Sequence, residues 1–225
     1  MAYKINNRGG IGILNDKSVV FRTITATSVR GNSVKSSVGL STGYTSGGYT
    51  TPPYTDRNTI DKFPFAADAN ATDAGDLTQA RSHLTGQSSD ANGYSSGGAA
   101  GSLNVIDKFL FGTDANATDV GDLSQGRYYL SGQSSDANGY SAGGATPGYT
   151  NVIDKFPFSS DANATDVGDV TNNRAYLTGQ SSTTHGYISG GLGPPFGPYY
   201  FNTGTKSNIE KFPFSSDNNA SNIGF

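Results

Sequence analysis

The large apolar side chains of this chain come in short bursts of period two, set in long polar stretches rich in Gly, Ser, Thr, Asn and Asp. In the burst Ile60-Asp-Lys-Phe-Pro-Phe, Phe63 and Phe65 fall on one face and Lys62 on the other. That alternation predicts a strand whose aromatic face packs between adjacent sheets while the lysine looks outward. The burst opens a block, IDKFPFAADANATDAGDL, that returns almost letter for letter as IDKFLFGTDANATDVGDL from Ile106 and IDKFPFSSDANATDVGDV from Ile153. A fourth copy, IEKFPFSSDNNASNIGF, begins at Ile209, and successive starts are 46, 47 and 56 residues apart. Self-similarity at such a period constrains architecture more strongly than any local propensity.

Two further landmarks divide the unit. Gly-Tyr-x-x-Gly-Gly recurs at Gly43 to Gly48, Gly93 to Gly98, Gly139 to Gly144 and Gly186 to Gly191. A tyrosine followed by a glycine pair suits a strand end that needs positive φ or a close backbone approach. Asp-Leu-Thr-x-x-Arg stands at Asp76 to Arg81 and returns, varied, at Asp122 to Arg127 and Asp169 to Arg174, each Arg 12 residues before its Gly-Tyr. The unit therefore reads as a Gly-Gly strand end, a loop, the Phe strand, an Asx-rich loop, the Asp-to-Arg connection and the strand entering Gly-Tyr. Pro64 and Pro157 predict an edge strand or a bulge, because proline cannot donate to a ladder.

With a diglycine, an aromatic strand and an Arg before the next strand, the chain from Tyr44 to Phe214 resembles the kelch repeat family. The family's signature tryptophan is lacking, and Leu77, Leu123 and Val170 stand in its place. The resemblance implies an all-β, kelch-like β-propeller of about four blades, closed by N- and C-terminal strands. On this reading residues 1–40 hold N-terminal strands that also serve as an anchor segment, and residues 41–225 form the repeat domain. The rival is an open stack of units completed by neighbouring chains in a homo-oligomer or fibre.

Composition narrows the function. A net charge of −3 and a charged fraction of 15% leave no basic stripe for phosphates, so no nucleic-acid partner is expected. No run of 18 apolar residues occurs, so no membrane span is expected. Met1 to Gly10 carries neither the charged nor the apolar region of a secretory signal, so either the mature chain is shown or assembly in a host cytoplasm is expected. Without cysteine or tryptophan, the 12 Phe and 13 Tyr must mark the core.

Several groups invite chemistry. Asp68, Asn70, Asp73 and Asp76 place oxygens at near-alternate positions beside Gly75, as calcium loops do; Asp114, Asn116, Asp119 and Asp122 repeat the pattern, as do Asp161, Asn163, Asp166 and Asp169. The same residues equally suit tight turns in which Asx side chains bond their own backbone, and calcium is the only cofactor the sequence suggests. Asn70, Asn116, Asn163 and Asn219 also open N-glycosylation triplets. Tyr44, Tyr94, Tyr140 and Tyr187 are read as packing between units ahead of a sugar-stacking ring. The insertion that lengthens the third spacing concentrates Phe196, Tyr199, Tyr200 and Phe201, an interface loop or an aromatic plug. His83 and His185 occupy different points of the unit, and no catalytic triad assembles from fixed offsets, so no enzyme is expected.

Near-verbatim repeats, low charge and absent cysteines resemble repeat-bearing structural proteins of bacteriophage particles. That resemblance implies a tail fibre, appendage or surface decoration on the virion, contacting other virion proteins and a host surface glycan or protein. A soluble protein-interaction module and a lectin-like sugar binder remain the alternatives.

Overall fold

The computed structural model describes residues 4–5, 11–12, 42–195 and 203–225, and the chain divides into two compact units, Met1–Gly39 and Leu40–Phe225. In the first unit the described residues form one ribbon, Lys4–Ile5 antiparallel to Ile11–Gly12. The rest of the expected anchor segment, and the interface loop with Phe196, Tyr199, Tyr200 and Phe201, lie outside the described residues.

The second unit is all-β, with no helix among its described residues. Sheet I is Thr42–Ser46, Thr59–Pro64 and Thr72–Asp76. Sheet II runs Thr85–Ser88, Asn92–Ser96, Val105–Leu110 and Thr118–Asp122. Sheet III repeats it as Ser131–Ser134, Asn138–Ala142, Val152–Pro157 and Thr165–Asp169, and sheet IV as Thr178–Ser181, His185–Ser189, Ile209–Pro213 and Ser221–Gly224. All neighbours are antiparallel and follow chain order. The unit therefore holds two strands that the apolar pattern does not predict, its first (Thr-Gly-Gln-Ser in sheet II) and its last (Thr-Asp-Val-Gly-Asp).

The diglycine after each Tyr strand takes positive φ, 63° and 112° at Gly47 and Gly48, 63° and 111° at Gly143 and Gly144, as a left-handed strand end requires. Each Phe strand is central in its sheet, so the edge position expected from proline is corrected. Pro64 and Pro157 end their strands, two residues past the last pair with the outer strand, where Leu110 serves equally well. The bulge lies at the strand's other end: pairing slips between Ile106 and Asp107 and at the same step in the other three sheets.

Three apolar cores sit between successive sheets. Ile60, Ala74, Leu77, Phe109 and Ala117 fill the first, Tyr94, Ile106, Leu123, Leu130, Phe156 and Ala164 the second, and Tyr140, Ile153, Val170, Ile188 and Phe212 are the large members of the third. Leu77, Leu123 and Val170 are each at most 3% exposed, so all three connections drive an aliphatic side chain into a core. Burying one such side chain contributes roughly 1.5–3 kcal/mol.

Candidate functional site

The repeat's distinctive residues converge on the joint between sheets. Tyr94 stacks on Phe158 with ring centroids 4.8 Å apart and leans on Phe156 at 5.5 Å. Tyr44 does the same on Phe111 and Phe109, and Tyr140 on Phe214 and Phe212. These tyrosines pack between sheets, as the sequence reading favours. The glycine before each Tyr is the floor on which the paired Phe ring lies: a Cβ on Gly139 would meet Phe156 at 2.3 Å.

A buried ion pair locks the connection into the sheet that follows. The Arg127 guanidinium lies 2.9 Å from Asp154 and donates to the Ser141 carbonyl, and both charged side chains are fully buried. Arg81 with Asp107 and Arg174 with Glu210 repeat the arrangement. Burial pushes all three guanidiniums below their ordinary pKa, with the paired carboxylate opposing. Asp107 also accepts from the Thr78 amide and hydroxyl, and Asp154 from the Ser124 amide, so each carboxylate is held by more than its arginine.

At the outer edge the Asx loop of one sheet presses on the last strand of the sheet before it. Asn163 accepts from the Asp122 amide at 3.1 Å, the Ala164 amide donates to the Asp122 carbonyl at 2.7 Å, and Lys108 pairs with Asp161. The contacts of Asn116, Ala117 and Lys62–Asp114, and of Asn219, Ala220 and Lys155–Asp217, are the same. This is where the calcium candidates lie. Asp114 and Asp161 face lysines, Asn116 and Asn163 face amides, and Asp73, Asp119 and Asp166 accept from the glycine amide two residues on. Asp76, Asp122 and Asp169 use their backbone amides in the same joints. Among the described residues no three His, Cys, Asp or Glu side chains gather as a metal site. The glycosylation asparagines Asn116, Asn163 and Asn219 are likewise spent on these joints.

The first strands of sheets II to IV lie side by side. Gln87 donates to the Tyr140 carbonyl and the Ser141 hydroxyl, Gln133 to the Tyr187 carbonyl, and the Ser88 and Ser134 amides donate to Ser134 and Ser181 hydroxyls. Glycine permits the approach, since a Cβ on Gly132 or Gly179 would stand 2.3 Å from the neighbouring strand's carbonyl.

One surface feature escapes the sequence landmarks. Two residues after each buried Arg, His83, Tyr129 and Tyr176 sit at φ of 56°, 57° and 60°, a left-handed conformation that costs an L-residue on the order of 1 kcal/mol. Their rings form a ladder: Tyr49 stacks on Tyr54 and meets His83, His83 meets Tyr129 at 4.2 Å, and Tyr129 stacks on Tyr176 at 3.8 Å. Backbone bonds from the Tyr129 amide to His83 and from the Tyr176 amide to Tyr129 tie the steps. Tyr49, Tyr54 and Tyr176 are about half exposed, at 48%, 58% and 49%. Only the repeat offset, 46 and 47 residues between these three positions, could have flagged them.

Hydrogen bonding with Tyr176, then burial, holds the Tyr129 phenol up at about 12. Its folded value lies above the ordinary 10, so its stabilisation is complete below pH about 10 and is lost as pH rises through about 12. Ultraviolet titration of tyrosinate should show a late phase there that Tyr176→Phe moves down; an unmoved phase contradicts the assignment.

No protein-family model matches this chain, and no curated protein matches it.

Proposed function

We propose that the protein is a non-enzymatic structural component of a bacteriophage particle, a tail fibre, appendage or surface decoration. Its sheets act as blades of a kelch-like propeller used for assembly or host-surface contact. The observation that carries this reading is the joint itself. The side chains that define the repeat, Tyr, Phe, Arg, Lys and Asn, are consumed three times over in sheet-to-sheet contact, which is the economy of a building element. Two arrangements suit such a chain, a ring closed by its own terminal strands and an open stack completed by neighbours. The outer faces of sheets I and IV, which no other described sheet covers and where Phe65 is 64% and Ile209 39% exposed, favour the second. Mass spectrometry of purified particles of the encoding phage should find the protein in stoichiometric amount, and its absence from them would overturn the reading.

The exposed aromatic ladder supports host-glycan contact as the purpose of display, because the outer faces of Tyr54 and Tyr176 suit stacking on a sugar. Binding to a glycan array that Tyr176→Ala abolishes is the expected result. Binding unchanged by that variant removes the ladder from the interaction.

A further inference from the structure

Three identical joints leave two half-joints behind. At the sheet IV end stand the groups that every other sheet offers to its successor. Among the described residues Tyr187 has no Phe pair, where Tyr44, Tyr94 and Tyr140 each have one. Lys211 makes no ion pair among the described residues, although Lys62, Lys108 and Lys155 all do. Ile209 is 39% exposed where Ile60, Ile106 and Ile153 are at most 1%. A Cβ on Gly75, Gly121 or Gly168 would strike the following loop's backbone at 2.5 to 2.8 Å, yet one on Gly224 would meet nothing within 4 Å, so among the described residues this fourth socket is open.

The sheet I end carries the complementary set. Phe65 is 64% exposed, whereas its equivalents Phe111, Phe158 and Phe214 stack on a tyrosine. Among the described residues Asp68, the counterpart of Asp114, Asp161 and Asp217, makes no ion pair, and the Asn70 loop that would fill a glycine socket has no strand against it.

Because each group missing a partner at one end has that partner waiting at the other, we propose that the sheet IV face of one copy docks on the sheet I face of a second copy. The contact rebuilds the internal joint: Lys211 to Asp68, Tyr187 onto Phe63 and Phe65, and the Asn70 loop into the Gly224 socket. It is heterologous, so it propagates head to tail until a rotation closes it. The proposal rests on the assembly reading above and names the surface that performs it.

Analytical ultracentrifugation of the full chain should show concentration-dependent association. Phe65→Asp should abolish it, and Lys211→Glu or Asp68→Lys should each weaken it about tenfold by juxtaposing like charges. An equimolar mixture of Lys211→Glu with Asp68→Lys should restore it, since every junction then pairs opposite charges. Gly224→Ala should weaken it without lowering the melting temperature. All four positions lie on the uncovered end faces, so circular dichroism should report an unchanged fold. The cysteine-free chain permits a second measurement, a bis-maleimide applied to the variant carrying both Lys211→Cys and Asp68→Cys. A ladder of linked copies is expected; a crosslink confined to the monomer, or association indifferent to the charge reversals, would overturn the proposal. Association in solution without the protein in purified particles would overturn the virion assignment alone.

Discussion

Replacing Arg127 with methionine is expected to lower stability by about 3–5 kcal/mol, the cost of leaving one partner of a buried ion pair uncompensated. The Asp154 carboxylate, fully buried, would retain only the Ser124 amide, and the Ser141 carbonyl would lose the guanidinium bond it accepts beside its ladder pairing with Asp154. The loss traces to the stranded charge more than to the missing contact, so adding Asp154→Asn to Arg127→Met should recover part of it. An amide keeps an acceptor for Ser124 and carries no charge. Thermal and denaturant unfolding of the single and double variants checks this. A double variant less stable than Arg127→Met alone would mean that the buried charge is not the problem. Because a repeat array couples most strongly between adjacent units, the damage should be largest where sheet II meets sheet III.

A second large effect is expected from one methyl group. Gly121 has φ of 154°, and its Cβ would sit 2.5 Å from the Ala162 carbonyl oxygen and 3.0 Å from the Asn163 amide. Both obstacles are backbone, so neither can rotate away, and relief requires withdrawing the loop that holds the Asn163 and Ala164 bonds to Asp122. Gly121→Ala should therefore cost about 1–3 kcal/mol as an overpacking defect. Gly148→Ala, where a Cβ meets nothing within 4 Å, should stay within about 0.5 kcal/mol of the parent. Equal effects at the two positions would show that general glycine entropy, not the socket, sets the cost.

Much of the fold is legible because alternation along a strand is a local property. Phe109 and Phe111 share a face in the sequence and in the sheet, with Lys108 on the other, and the diglycines take the positive φ that their composition suggests. Lys108 stays partly exposed on the face away from the phenylalanines and there reaches Asp161 of the next sheet. Phe65 departs the other way, on an aromatic face that no other described sheet covers. The last strand of each unit is illegible because Thr118–Asp122 and its equivalents hold almost no apolar side chains. Their strand state comes from pairing with the Phe strand. The proline reading fails for a related reason: a missing amide hydrogen matters only where a ladder partner exists, and Pro64 stands beyond the outer strand's reach.

Taken by itself, the sequence determined the unit, its period, its all-β character and the aromatic face of its most prominent strand, since these follow from the order and polarity of nearby residues. Only the tertiary structure decided what the polar landmarks are for. Arg127 finds Asp154 across 27 residues and Lys108 finds Asp161 across 53. An Asx loop that looks like a cation site in one dimension becomes the peg of a joint in three. Which carboxylate meets which cation depends on the offset between neighbouring sheets, a geometric quantity to which the spacing of residues within one repeat is blind.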